Sequence, residues 1–124
     1  MLVSYQEEAL RLQPRDAELG ASLLNSQEVL GTVLRLLRRS KESEAVYKRV
    51  LAARESQLGE GHPGTVSVVN HLGALYKQDK RWYEAEKMYR RAVRTREEAL
   101  TAQHPLTVLS SCNLAALLKK VCHL

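Results

Sequence analysis

Side chains in this 124-residue sequence that could bind a metal include His62, His104, Cys112, Cys122 and His123. Zinc takes its ligands in short pairs such as C-x2-C or H-x3-H, and these five residues do not supply them. His62 and His104 instead recur 42 residues apart in the same local sequence, which points to a helix-capping role. No metal and no other cofactor is expected. Ser, His and Asp are present, but no nucleophile elbow, glycine-rich phosphate loop or HExxH pattern frames them, so the chain reads as a non-enzyme with no catalytic residue. Binding chemistry is left. Asn70 and Asn113 can hydrogen-bond the main chain of an extended ligand whatever its sequence, and Arg35, Lys77 and Lys119 share one slot at 42-residue intervals, offering three cations to an acidic ligand.

The elements that must position these residues follow from composition and period. Hydrophobic residues make up 44% and charged residues 27%, values of an ordinary globular chain, which argue against disorder and membrane spanning. Phe is absent, aromatics are 5% and Gly and Pro are few, favouring helices over sheet. The length fits one domain, 1–124. Met1 to Asp16 carries Glu7 and Glu8 and has neither a basic leader nor an apolar core, unlike a secretory signal. Cys112 and Cys122 would stand about 15 Å apart along one helix, too far for a disulfide. Reduced thiols and a cytoplasmic location are the expectation. The net charge of +5 suits acidic partners and equally a solubilising surface.

Self-comparison decides the architecture. Tyr5, Tyr47 and Tyr89 are spaced by 42, and His62-Pro63-Gly64-Thr65 returns as His104-Pro105-Leu106-Thr107. Leu30-Gly31 returns as Leu72-Gly73 and Leu114-Ala115, and Arg54-Glu55 as Arg96-Glu97. Within a unit, Val66, Val69, Leu72 and Tyr76 form one helical stripe, and Ala85, Met88, Tyr89, Ala92 and Val93 form another. Two amphipathic helices per unit result, made antiparallel by the short polar turn Gln78 to Arg81 and started by Pro63 and Pro105 at the first helical position. Helices are predicted at 4–12, 17–37, 42–58, 63–77, 83–100 and 105–121. They group into units at about 17–58 and 59–100 and a partial one at 101–124, preceded by the lone helix 4–12.

Leu72-Gly73-x-x-Tyr76, then Ala85, Tyr89 and Ala92, resembles the tetratricopeptide repeat pattern of large, small and aromatic residues. The usual unit has about 34 residues. A period of 42 with the linker Leu58-Gly59-Glu60-Gly61-His62-Pro63-Gly64-Thr65 is similar to the kinesin light chain subclass, and also to nephrocystin-3-like repeats. Tyr83 to Ala92, Arg96-Glu97 and Asn113-Leu114-Ala115 look like that subclass too; His71 and Lys80-Arg81-Trp82 depart from it, where Asn and a Gly-Lys-Tyr turn are usual. The resemblance implies an all-α, right-handed superhelical solenoid of antiparallel helix pairs. It also implies an adaptor or scaffold role, binding cargo or adaptor peptides with acidic residues around an aromatic anchor.

In such a solenoid the first helix of each pair lines a concave groove. The groove stripes expected here are Asn25, Glu28, Thr32 and Arg35; Ser67, Asn70, Ala74 and Lys77; and Leu109, Cys112, Ala116 and Lys119. The peptide-binding residues are then Arg35, Asn70, Lys77, Asn113 and Lys119. The basic row also reads as solvated helix ends, where cations are common. Tyr5, Tyr47, Tyr76 and Tyr89 are assigned to the core, and Trp82 to packing over its turn. The expected partner is a protein or peptide, with no small-molecule substrate and no membrane. Two rivals stand beside it. RNA binding draws on Arg35, Arg38, Arg39 and Lys41, although Asn25, Ser67 and Leu109 do not form a base-reading code. Self-assembly draws on Leu114, Leu117, Leu118 and Val121, which would pack in a homodimer or against further units of a longer array.

Overall fold

A computed structural model describes residues 14–122, with side chains from Gly20 onward. The predicted helix 4–12 with Tyr5, and His123, lie outside the described residues. Five helices follow one another: α1 (Pro14–Leu36), α2 (Ser40–Leu58), α3 (Pro63–Gln78), α4 (Trp82–Ala99) and α5 (Pro105–Cys122). Each packs on its neighbour in sequence as successive antiparallel pairs, and α1 also touches α3 directly. Among the described residues, no helix is long and apolar enough to cross a membrane.

Helix starts and stops are encoded locally. His62 has an extended backbone, its carbonyl accepts from the Thr65 and Val66 N–H groups, and the Gly64 N–H donates to its Nδ1 at 3.0 Å. At His104 the Leu106 N–H donates to Nδ1 at 3.1 Å, so both histidines satisfy N–H groups that a helix start leaves without partners. The two hairpin turns close alike. The Arg39 N–H donates to the Leu34 carbonyl at 2.9 Å and the Arg81 N–H to the Tyr76 carbonyl at 2.8 Å, the long-range bond of a Schellman motif. That motif needs a left-handed residue just before its last donor. Arg38 (φ 63°) and Lys80 (φ 62°) hold that conformation without being glycine.

Side-chain size sets the distance within a pair. A Cβ placed on Gly31 would stand 2.7 Å from the Tyr47 ring, and one on Gly73 would stand 2.8 Å from the Tyr89 ring. Both tyrosines are buried, as are Leu72, Leu75, Ala85 and Tyr76 around them, in one continuous cluster that reaches Leu117 of α5. Trp82 opens α4 and packs against that cluster while half-buried, with Lys120 Nζ 5.7 Å from its ring centroid. Ser43 donates from α2 to the Gly31 carbonyl at 2.6 Å, tying the first pair together at its closest point.

Gly73→Ala is expected to destabilise the fold by about 1–3 kcal/mol, because the methyl group must displace a buried ring. The urea midpoint measures this, and pairing it with Tyr89→Leu should recover part of the loss. Lys80→Gly should instead stabilise by about 0.5–1 kcal/mol by removing left-handed strain, offset in part by a more flexible unfolded chain. A raised melting temperature would register it.

Candidate peptide-binding face

Because each pair repeats the one before it, the first helices α1, α3 and α5 fall on one side of the stack with α2 and α4 behind them. The helices turn the stripes predicted above to different uses. Between α1 and α3 the polar residues are occupied by one another. Arg54 of α2, only 4% exposed, donates Nη1 to Glu28 Oε1 at 2.6 Å and to the Gly64 carbonyl at 2.9 Å, and Nη2 to Asn25 Oδ1 at 2.7 Å. The second oxygen of Glu28 accepts from Ser67 Oγ at 2.7 Å and lies 2.7 Å from His71 Nδ1. His71 stacks on Tyr47 with ring centroids 5.4 Å apart, and the Tyr47 and Thr32 hydroxyls share a hydrogen bond of 2.7 Å. Asn25, Glu28 and Thr32, expected to meet a ligand, are thus committed to the seam within the protein.

Electrostatics account for the seam's stability. Burial pushes the Glu28 carboxyl up, but hydrogen bonds from His71, Ser67 and Arg54, with the Arg54 charge, outweigh it and hold the group at about 2. A similar cluster ties α2 to the next hairpin turn. Glu44 accepts from Arg81 at 2.9 Å, from the Tyr76 hydroxyl at 3.0 Å and from Lys48 at 3.1 Å. Arg81 also pairs with Glu84 and lies over the Tyr76 ring at 4.5 Å. Burial raises the Glu44 carboxyl less than these donors lower it, and burial with the Glu44 hydrogen bond raises the Tyr76 hydroxyl to about 12.

The five predicted site residues are differently placed. Arg35 is half-buried and donates Nη1 to Gln78 Oε1 at 3.3 Å, while Gln78 Nε2 donates back to its carbonyl at 3.0 Å. Its guanidinium is turned into the α1–α3 seam. Lys77 is half-buried and Lys119 exposed, and neither forms an ion pair among the described residues. Asn70 and Asn113 are half-buried, and Asn70 Oδ1 is enclosed with no hydrogen-bond partner. No hydrogen bond joins the five to one another among the described residues. On α5 the stripe Leu109, Cys112, Ala116 and Lys119 is exposed. Among the described residues no cluster of three metal-ligating side chains exists.

Arg54 and Arg96 escaped the sequence-based choice of site residues. Their signal was the 42-residue recurrence of Arg-Glu, which marks a repeat position without saying that the guanidinium reaches inward. Two models of the tetratricopeptide repeat match the chain, one over residues 23–64 and the other over 65–122. The chain belongs to the tetratricopeptide repeat family. The two matches meet at the His-Pro-Gly-Thr linker, and the first spans one 42-residue period. A comparison with curated proteins found no match. Repeats of this kind are protein–protein interaction modules, and neither match is to an enzyme family.

The low Glu28 value has a sign that can be measured. Folding favours the ionised carboxylate, so its contribution is complete above the ordinary 4.5 and is lost as pH falls from there toward about 2. Glu28→Gln is expected to be less stable than the parent at neutral pH, with the gap closing on acidification. Urea unfolding of both proteins across that window tests it; a gap independent of pH would contradict the seam's electrostatics.

Proposed function

We propose that this tetratricopeptide repeat chain is an adaptor or scaffold module that holds an acidic peptide of a partner protein along α1, α3 and α5. The reading rests on the cations of that face. Arg39, Lys48, Arg54, Arg81, Arg90 and Arg91 each hold a carboxylate within the protein. Arg35, Lys77 and Lys119 hold none among the described residues, as is also true of other basic residues such as Lys41, Arg49 and Lys87, but these three share one slot at 42-residue intervals. The uncompensated charges of Lys77 and Lys119 attract an extended anionic ligand, with Arg35 turned toward Gln78 behind them, and carboxamides of Asn70 and Asn113 supply main-chain hydrogen bonds. The exposed stripe on α5 adds apolar surface, with Leu109 53% exposed, for an aromatic anchor beside the acidic residues. The 42-residue period and the linker support a kinesin light chain-like mode of cargo binding within the family, in the cytoplasm.

Fluorescence anisotropy with Glu-rich peptides, with and without a central Trp, tests this directly. Binding should weaken by about tenfold in the Lys77→Glu, Lys119→Glu double variant, consistent with loss of steering and short-range attraction. Unchanged affinity would remove the basic row from the site. Single-stranded RNA that binds at micromolar level and survives about 150 mM salt would favour the nucleic-acid reading instead.

A further inference from the structure

Each first helix hands over to its partner through a short turn, and side-chain contacts bring those turns to one edge of the stack. Ser40 Oγ at the first turn donates to Asp79 Oδ1 at the second at 2.7 Å, and Arg81 reaches back to Glu44 at 2.9 Å. Lys120, in the last turn of α5, places Nζ 5.7 Å from the ring centroid of Trp82, which opens α4. Residues 36–41, 79–83 and 119–121 therefore share a continuous edge. The opposite edge, where each second helix leads to the next first helix, exposes Glu60, Glu97 and Glu98.

On the turn edge the carboxylates are engaged within the protein and several cations are not. Glu42 pairs with Arg39 at 2.8 Å, Glu44 and Glu84 pair with Arg81, and Asp79 accepts from the Ser40 hydroxyl. Arg38, Lys41, Lys80 and Lys120 are exposed, and none of them forms an ion pair among the described residues. Beside them stand Tyr83, Leu36 and Leu37, which at 77%, 66% and 61% exposure are three of the four most exposed large apolar side chains among the described residues. The repeat does not require them. One period after Leu36 and Leu37 the same slots hold Gln78 and Asp79, and one period before Tyr83 the slot holds Lys41.

We propose that this edge docks on an anionic lipid bilayer, with Leu36, Leu37 and Tyr83 entering the headgroup layer while Arg38, Lys41, Lys80 and Lys120 meet its negative charge. Turn tips protrude, so a flat surface touches all three ends at once, whereas an extended peptide is held along a concave path. A bilayer also offers acyl chains just beneath its charged headgroups, and an acidic peptide presents its charges with no such apolar layer behind them. Tyrosine suits that boundary, having an apolar ring and a polar hydroxyl. Apolar insertion and basic charge are each weak alone and hold a peripheral protein together. The carboxylates of the far edge turn the molecule with its basic edge toward the membrane. Surface docking needs no spanning helix, and the described residues contain none. The edge is separate from the concave face, so its role does not depend on the peptide reading; it adds a location at which a partner would be held.

Flotation of the whole chain with vesicles tests this, using phosphatidylcholine alone and phosphatidylcholine with about one third phosphatidylserine, both at about 0.1 M salt. Binding is expected to the second kind only. Lys41→Gln with Lys120→Gln should weaken it by about tenfold, and Leu36→Gln with Leu37→Gln by about fivefold at unchanged net charge. Tyr83→Ser should weaken it as well, and covers the case in which the leucine pair proves necessary for the first turn. Arg49→Gln with Arg94→Gln removes the same charge from exposed positions of α2 and α4 and should change binding by less than about twofold. Melting followed by circular dichroism checks that each variant folds. No binding to phosphatidylserine vesicles overturns the proposal, as do equal losses from the edge pair and the control pair. Binding indifferent to Leu36, Leu37 and Tyr83 also overturns it, because attraction by net charge then suffices. If a Glu-rich peptide or single-stranded RNA loses about tenfold in Lys41→Gln with Lys120→Gln while vesicle binding holds, the edge belongs to that partner and the membrane assignment falls.

Discussion

The Tyr47 ring lies against Gly31, and the Tyr89 ring lies against Gly73, closer than any side chain at those two positions would allow. Helices of a pair approach as near as their smallest facing residues permit, and a flat ring then fills the space beside the contact. Each hairpin in this chain is held at one separation by that fit. The separation in turn decides where the next first helix lands, and with it the distance between Glu28 on α1 and Ser67 and His71 on α3. Polar groups can be buried together there only because the apolar spacing behind them is fixed.

On that frame the two seams differ in charge. The first is largely self-sufficient: a nearly buried arginine, a carboxylate shifted well below its ordinary range, a serine and an asparagine bond one another, with the His71 ring 2.7 Å away from the carboxylate. The second keeps the arginine and the backbone contact but replaces the carboxylate with a carboxamide. A repeat protein can diverge in this way at little risk to its fold, because the stability of each unit depends on its hydrophobic contacts with adjacent units, which Leu72, Tyr89 and Leu117 maintain.

Much of the architecture was legible from residue type and period. The tyrosines, the small residues facing them and the His-Pro linker fell where helix geometry required, and predicted helix limits from α2 onward differ from the observed ones by no more than two residues. α1 is described from Pro14, three residues before the predicted start, and Pro14 is compatible with a place in a first helical turn. The site was less legible. Sorting residues by helical face put Asn25, Glu28 and Thr32 in the groove, and the helical angle alone could not tell that Arg54, 26 residues from Glu28 in sequence, would reach over and claim it.

What the sequence determined by itself is the series of helices, their pairing and the side that carries the polar stripe, because these depend on spacing within one helix and on side-chain volume, both local quantities. What only the tertiary structure decided is the allocation of charges, namely that Glu28 belongs to Arg54, that Arg35 is tied to Gln78 and that Arg96 is left without an acid. A long side chain can reach any of several partners from the same backbone position, and the selection among them is made by burial and by contacts between residues far apart in the chain.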